Sequence, residues 1–265
     1  RHLTIPCEMC IRDRVEEALC SLGVNIRARV TSIGICGQMH GVVLVDSHCT
    51  PVSNLITWQD QRLLEDDIPT GRAIIERFPD LSPGFGCSTL AWLAQTGGLM
   101  MPNDAAGCGT VMDLLVAKLC GHNVPQVMDE TNAASFGLYD HLHHTWRMDA
   151  LKELRIPEKL LPQRIVPMGT LAGTLSKEMS HLLGIPEGVG VYAATGDFQA
   201  ALLGSHAKIG EMVVNIGTSA QLAVILPAQS TPLLHLKEIG AKHEYRPFIP
   251  GSLVLTAAAM SGGSA

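Results

Sequence analysis

A carboxylate at a strand-to-helix junction is the first group in this chain placed to do chemistry. Val189–Ala194 reads as a short strand and Phe198–Leu203 as a helix, and Asp197 stands between them. An aspartate there can cap the helix by accepting backbone N–H groups. It can also act as the general base that takes the proton from an attacking hydroxyl, the one proton transfer that phosphoryl transfer to an alcohol requires. The two roles are compatible. Further along, Gly217, Thr218 and Ser219 join two predicted strands, Met212–Ile216 and Gln221–Leu226. As structure this is a hairpin turn; as chemistry, its N–H groups and hydroxyls suit the oxygens of a nucleotide phosphate.

Two polar side chains upstream invite a ligand. Gln38 and His40, with Met39 between them, follow the predicted strand Val30–Cys36, and strand ends are where α/β sheets bind small molecules. The alternative is a satisfied interior histidine. Trp58, Asp60 and Arg62 alternate at spacing two, so an extended segment puts all three on one face. An aromatic plane beside a carboxylate and a guanidinium suits a polyol, whose C–H face stacks and whose hydroxyls need paired hydrogen bonds. An exposed Asp/Arg pair beside a buried tryptophan is the other reading. Cys7-x-x-Cys10 has no second pair to complete four metal ligands. His141, His143 and His144, with Asp140 and Thr145, read as a solvated loop, and no metal site is assigned.

The elements that must position these groups alternate in an α/β manner. Ile11, Val15, Ala18, Leu19 and Leu22 recur at helical spacing, and Gly23 reads as the stop. Val42–Val45 continues as a strand after the glycine-flanked run at 37–41. Thr110 and Asp113 form a capping-box pattern ahead of a helix that Gly121 closes, and Ser176–Gly184 is a shorter helix. Leu253–Ala265 enters a new unit.

The 265 residues are 46% hydrophobic and 17% charged, a globular composition with room for one large domain or two small ones. A net charge of -6 argues against a nucleic-acid binder. No apolar stretch reaches the ~20 residues of a membrane-spanning helix. Charges at Arg1, Glu8, Arg12, Asp13, Arg14, Glu16 and Glu17 interrupt any signal-peptide core, so a cytoplasmic location is the default. Eight scattered cysteines read as mostly buried thiols rather than a disulfide framework.

In chain order GQMHG (37–41), WQDQR (58–62), GFGCSTLAWL (84–93), MDETNAAS (128–135), GDFQAALLG (196–204) and NIGTSAQL (215–222) resemble the FGGY carbohydrate kinases. The resemblance runs from about Val30 to Ala265. WQDQR, GFGCSTLAWL, DAAGCGTVMDLLVAKLCG (104–121) and NAASFGLYD (132–140) look most like members that phosphorylate the terminal hydroxyl of a seven-carbon ketose. The resemblance implies an actin-like ATPase fold of ribonuclease-H-like domains, a mixed sheet flanked by helices, with Mg2+ and ATP in the cleft between two domains. It makes Asp197 the catalytic base and Gly217, Thr218 and Ser219 a phosphate-binding loop. Gln38, Met39, His40, Trp58, Asp60 and Phe85 line the sugar pocket, with Arg62 in the same segment.

Two departures from the family pattern stand out. Relatives often carry Asn or Gln directly after the catalytic aspartate, whereas here Phe198 takes that place and Gln199 follows. An Asp-x-Gly-Thr motif, which in the family opens the fold and holds the first phosphate site, is absent from the chain. The expectation is a fragment lacking its first hairpin and most of its second domain. Residues 1–14 are unassigned and non-native in character, 15–251 form a sugar-binding domain, and 252–265 begin the next. Such a fragment is expected to bind sugar weakly and to transfer no phosphate alone. The expected partners are a small sugar and ATP, with no nucleic acid and no membrane, and with room for a homo-oligomer. The rivals are another ketose of the same family, such as xylulose, and a non-catalytic sugar-binding module.

Overall fold

The computed structural model describes residues 4–5, 7–64, 69–96, 102–216, 220–229 and 243–259. Its centre is a set of short ladders joining segments far apart in sequence. Ser32–Ile33 runs parallel to Gly190–Tyr192, and Cys36–Gly37 runs parallel to Thr195–Gly196. Leu171–Thr174 adds antiparallel to Gly190–Tyr192. Val43–Val45 pairs antiparallel with Gly107–Gly109, and Val127–Asp129 pairs parallel with Arg164–Val166. Helices cover these strands, so the architecture is the mixed α/β one expected.

Helix limits follow local chemistry. Thr110 caps Val111–Cys120 through the reciprocal box read from the sequence: its hydroxyl accepts the Asp113 N–H at 3.3 Å, and its own N–H donates to Asp113 Oδ2 at 2.9 Å. Gly121 then turns left-handed at φ 71°. Ser176 caps Lys177–Leu183 by accepting the Met179 N–H. Gly23 departs from expectation. It has φ -57° and caps a second short helix, Val24–Arg27, instead of ending the first, Cys7–Ser21, with a left-handed turn. The side chains of Cys7 and Cys10 lie outside the described residues.

The larger core gathers Leu44, Leu90, Met128, Phe136 and Leu151, with the Trp146 ring edge-on to both Phe136 and Tyr139. Cys49, Cys87 and Cys108 are buried, while Cys20 and Cys36 are exposed. Residues 212–259 contribute a separate antiparallel sheet in the order Met212–Ile216, Ala220–Pro227, Ser252–Ala259, His243–Pro247. The boundary expected at residue 252 therefore falls between strands of one sheet. Among the described residues no helix is long and apolar enough to cross a membrane.

Asp113 is the costly member of this core. Its Oδ2 accepts the Thr110 N–H and hydroxyl, yet Oδ1 has no hydrogen-bond partner among the described residues. Burial pushes its pKa up to about 7 against those two bonds. A folded-state pKa above the unfolded one adds stability at low pH that is lost as pH rises through 7. Asp113→Asn should therefore flatten the fall of Tm between pH 5 and pH 8. Thermal unfolding of both proteins at the two pH values checks this; an unchanged slope would move the titration to another buried acid.

Candidate active site

The parallel pairing of Gly37 with Gly196 decides where the candidate residues meet. Gln38 and Asp197 each stand one residue past that ladder, at the same carboxyl edge, where open α/β sheets take ligands. The approach is close: a Cβ on Gly196 would sit 2.5 Å from Met39 Sδ. A side chain at 196 would therefore displace the buried Met39 side chain.

Asp197 is the first residue of the helix Asp197–Gly204, and the cap position belongs to Gly196, which makes no side-chain cap bond. The cap reading of Asp197 therefore gives way. Its Oδ1 accepts the neighbouring Phe198 N–H at 2.8 Å, and the side chain is otherwise exposed. Partial desolvation raises its pKa above the ordinary carboxylate value, while the Phe198 N–H pulls it down.

Beneath it lies a network built on Asp129. This carboxylate is fully buried and caps the helix Glu130–Phe136 by accepting the Asn132 N–H at 2.8 Å. The same oxygen accepts the Thr131 hydroxyl, and Oδ2 accepts the Thr195 hydroxyl, both at 2.7 Å. Asn132 Nδ2 donates to the Ala194 carbonyl at 2.8 Å. Burial lifts the Asp129 pKa to about 6 despite these bonds. Two residues before Asp197, the chain is thus fixed from below by side-chain and backbone groups at once.

His40 adopts a left-handed φ of 73° at the tip of its turn. Its Nδ1 lies 2.7 Å from the Ser135 carbonyl oxygen, and its ring stacks on Phe85 at 4.5 Å with an 8° tilt. A carbonyl can only accept, so Nδ1 carries the proton and Nε2 is a bare acceptor. Burial first, and the Arg246 charge second, push the imidazole pKa down to about 3, so the ring is neutral at physiological pH.

Phe85 caps the helix Gly86–Gln95, and Gly84 before it has φ 82°. A Cβ on Gly84 would run into the Trp58 carbonyl, which is how the 84–86 loop is seated on the 58–62 segment. That segment is not extended. It turns at Thr57–Asp60 and enters a 3-10 helix at Arg62–Leu64. Asp60 and Arg62 are 1% and 3% exposed and clasp each other through two bonds of 2.7 and 2.8 Å, with the guanidinium 5.0 Å from the Trp92 ring. Neither sequence reading holds as stated: the ion pair is buried, and Trp58 is half-exposed.

Met39 and Phe198 are also interior, packed with Leu202, Ala223, Ile225 and Phe248. Gln199 is fully buried, and neither of its amide atoms has a partner among the described residues. Gly217, Thr218 and Ser219 lie outside the described residues, between strands paired at Ile216 and Ala220. His143 and His144 are exposed, as the solvated-loop reading expects, and lie 2.7 and 2.8 Å from Asp140 and Glu130; His141 is half-buried. A 470 Å³ cavity lined by His48, Lys118, His122 and Glu178 contains none of the candidate residues.

A profile of the N-terminal domain of the FGGY family of carbohydrate kinases matches residues 6–204. The chain belongs to that family. Human sedoheptulokinase is 32% identical over 96% of this chain and 55% of its own length. Xylulose kinase of Streptomyces rubiginosus is 27% identical over 80% of this chain and 44% of its own. The crystal structure of a xyloylose kinase from Brucella ovis superposes with a TM-score of 0.81 at 21% identity, over 99% of this chain and 54% of that one. The FGGY chain described here thus spans about half the length of these relatives, and it shares their actin-like ATPase fold.

In this FGGY chain, motif and spacing alone assign no role to Asp129, Thr195 or Arg246. Asp129 carried a usable signal, an aspartate three residues before Asn132 at a strand-to-helix junction. Arg246 carried none, because its position depends on a sheet formed from distant strands. Gly84→Ala should cost at least about 2 kcal/mol, since it combines a left-handed backbone with a clash against a carbonyl. Urea unfolding measures this, and a loss under 0.5 kcal/mol, the usual range of a neutral surface change, would mean the loop can shift away from Trp58.

Proposed function

We propose that this chain forms the sugar-binding and proton-accepting part of an ATP-dependent kinase acting on the terminal hydroxyl of a ketose. Sedoheptulose, yielding sedoheptulose 7-phosphate, is the first candidate. The observation that carries the reading is the Asp197 carboxylate, not consumed as a helix cap, exposed at the strand edge level with Gln38. A carboxylate with a raised pKa is the better base for an alcohol proton. Asp197 takes that proton as the hydroxyl attacks the γ-phosphorus in line. Mg2+ and ATP, when bound, supply the phosphoryl group and neutralise its developing charge, and Gly217, Thr218 and Ser219 are the residues assigned to the phosphate. Closure of the site around the sugar keeps water from the phosphoryl group.

The half-exposed Trp58 offers its ring to the C–H face of the sugar, in a segment whose turn is fixed by the buried Asp60–Arg62 clasp. His40 accepts a sugar hydroxyl through Nε2, and Phe85 keeps the imidazole oriented. Gln38 stands beside Asp197. Met39 and Phe198 shape the pocket floor from within the core, and the buried Gln199 amide, with no partner among the described residues, follows Phe198 in the chain. Identity to human sedoheptulokinase favours the seven-carbon substrate, and likeness to xylulose kinases keeps xylulose as the second reading. The cytoplasm, where ATP is abundant, is the proposed location.

The test is ADP release by the whole protein with Mg·ATP and, in parallel, sedoheptulose, xylulose, ribulose and glycerol. Sedoheptulose should give the highest kcat/KM, and Asp197→Asn should lower kcat at least about a hundredfold, the scale of a lost general base. Sugar binding should survive that change, read by calorimetry on the two proteins. Turnover unaffected by Asp197→Asn would overturn the base assignment, and turnover with none of the four sugars would overturn the kinase reading.

A further inference from the structure

The strand His243–Pro247 packs against the helix Glu130–Phe136, the helix whose Ser135 carbonyl holds His40. Arg246 on that strand is only 9% exposed. Its Nε and Nη2 both donate to one oxygen, Glu244 Oε2, at 2.8 and 2.6 Å. Nη1 makes no hydrogen bond among the described residues, and it is not a sealed atom either. His40 presents the complementary vacancy. Its Nδ1 proton is committed to Ser135, and Nε2 has a lone pair with no partner among the described residues.

A guanidinium N–H can only donate and a neutral imidazole Nε2 can only accept. A hydroxyl does both. One alcohol group can therefore satisfy the two vacancies at once, donating its proton to Nε2 while its oxygen accepts from the arginine. Phe248, two residues after Arg246, packs in one buried cluster with Met39, the residue before His40, so the two segments meet; the Arg246 charge also lowers the His40 pKa. Gln38 rather than His40 neighbours Asp197 across the strand ladder, so the hydroxyl held by His40 belongs to a carbon away from the reacting end.

Resting on the ketose reading above, we propose that Arg246 is a further substrate-binding residue, which with His40 clamps one non-reacting hydroxyl of the sugar. Arg246 lies beyond residues 6–204, so the pocket is completed by a strand outside the segment matched to the family's N-terminal domain. The fixed tautomer of His40 makes the clamp selective. A deoxy carbon or an ether oxygen at that position leaves a buried donor or acceptor unpaired, which costs more than a missing contact at the surface.

The experiment is calorimetric binding of the preferred ketose and its monodeoxy analogues to the whole protein, wild type and Arg246→Gln. The substitution should weaken the parent ketose about tenfold, the scale of one charge-assisted hydrogen bond. For one analogue, lacking the clamped hydroxyl, wild type and variant should bind equally, and His40→Asn should show the same blind spot. Arg246→Lys keeps the charge beside Glu244 and provides the same comparison if the glutamine variant does not fold. Undiminished binding by the variants, or an equal loss for every analogue, would overturn the clamp while leaving the kinase reading standing. Wild type that binds no ketose at all would overturn both.

Discussion

The Asp129 carboxylate is the constraint on which the rest of the site depends. Among the described residues it has no counter-charge, so it is tolerable only while Asn132, Thr131 and Thr195 all donate to it. Those bonds tie the start of one helix to the strand end that leads into Asp197. The same helix carries Ser135, and through Ser135 it sets the tautomer of His40. One costly group thereby fixes the strand end before Asp197 and the tautomer of His40, on two separate segments. Replacing it with an apolar residue would leave several buried donors orphaned, which explains why a charge with a pKa near 6 is retained in a core.

Much of the fold was legible because its signals are local. The capping box at Thr110 and Asp113, the Ser176 cap and the left-handed Gly121 and Gly184 all act within four residues. Gly23 misled for the opposite reason: a glycine after a helical run can stop the helix or start the next one, and only the chain beyond it chooses. The meeting of residues 37–40 with 196–197 was not written in either segment, and it came from six motifs in register rather than from periodicity.

The 58–62 segment shows where pattern reading reaches its limit. Spacing of two implies a shared face only if the backbone is extended, and here Asp60 turns the chain by accepting the Arg62 N–H at 3.0 Å. That local bond competes with the strand and wins. The result exchanges the expected roles: the charged pair becomes the buried support and the aromatic ring faces outward. Arg246 was invisible for a different reason. A lone arginine in a strand has no signature, and its relation to His40 exists only after two sheets and a helix have packed.

The ladder between Gly37 and Gly196 joins positions about 160 residues apart, and this separation sets the order of events during synthesis. At cellular elongation rates the GQMHG turn leaves the ribosome roughly 8–30 s before its partner strand exists. Through that interval Cys36–Gly37 has an open hydrogen-bonding edge, and Met39 lacks the neighbours from 198, 202 and 223 that later bury it. The site is therefore assembled late, as a product of completed topology. The same long loop closure predicts slow formation of this ladder relative to the helices around it, and it makes the nascent N-terminal strands the part of the chain most in need of protection from other unpaired strands.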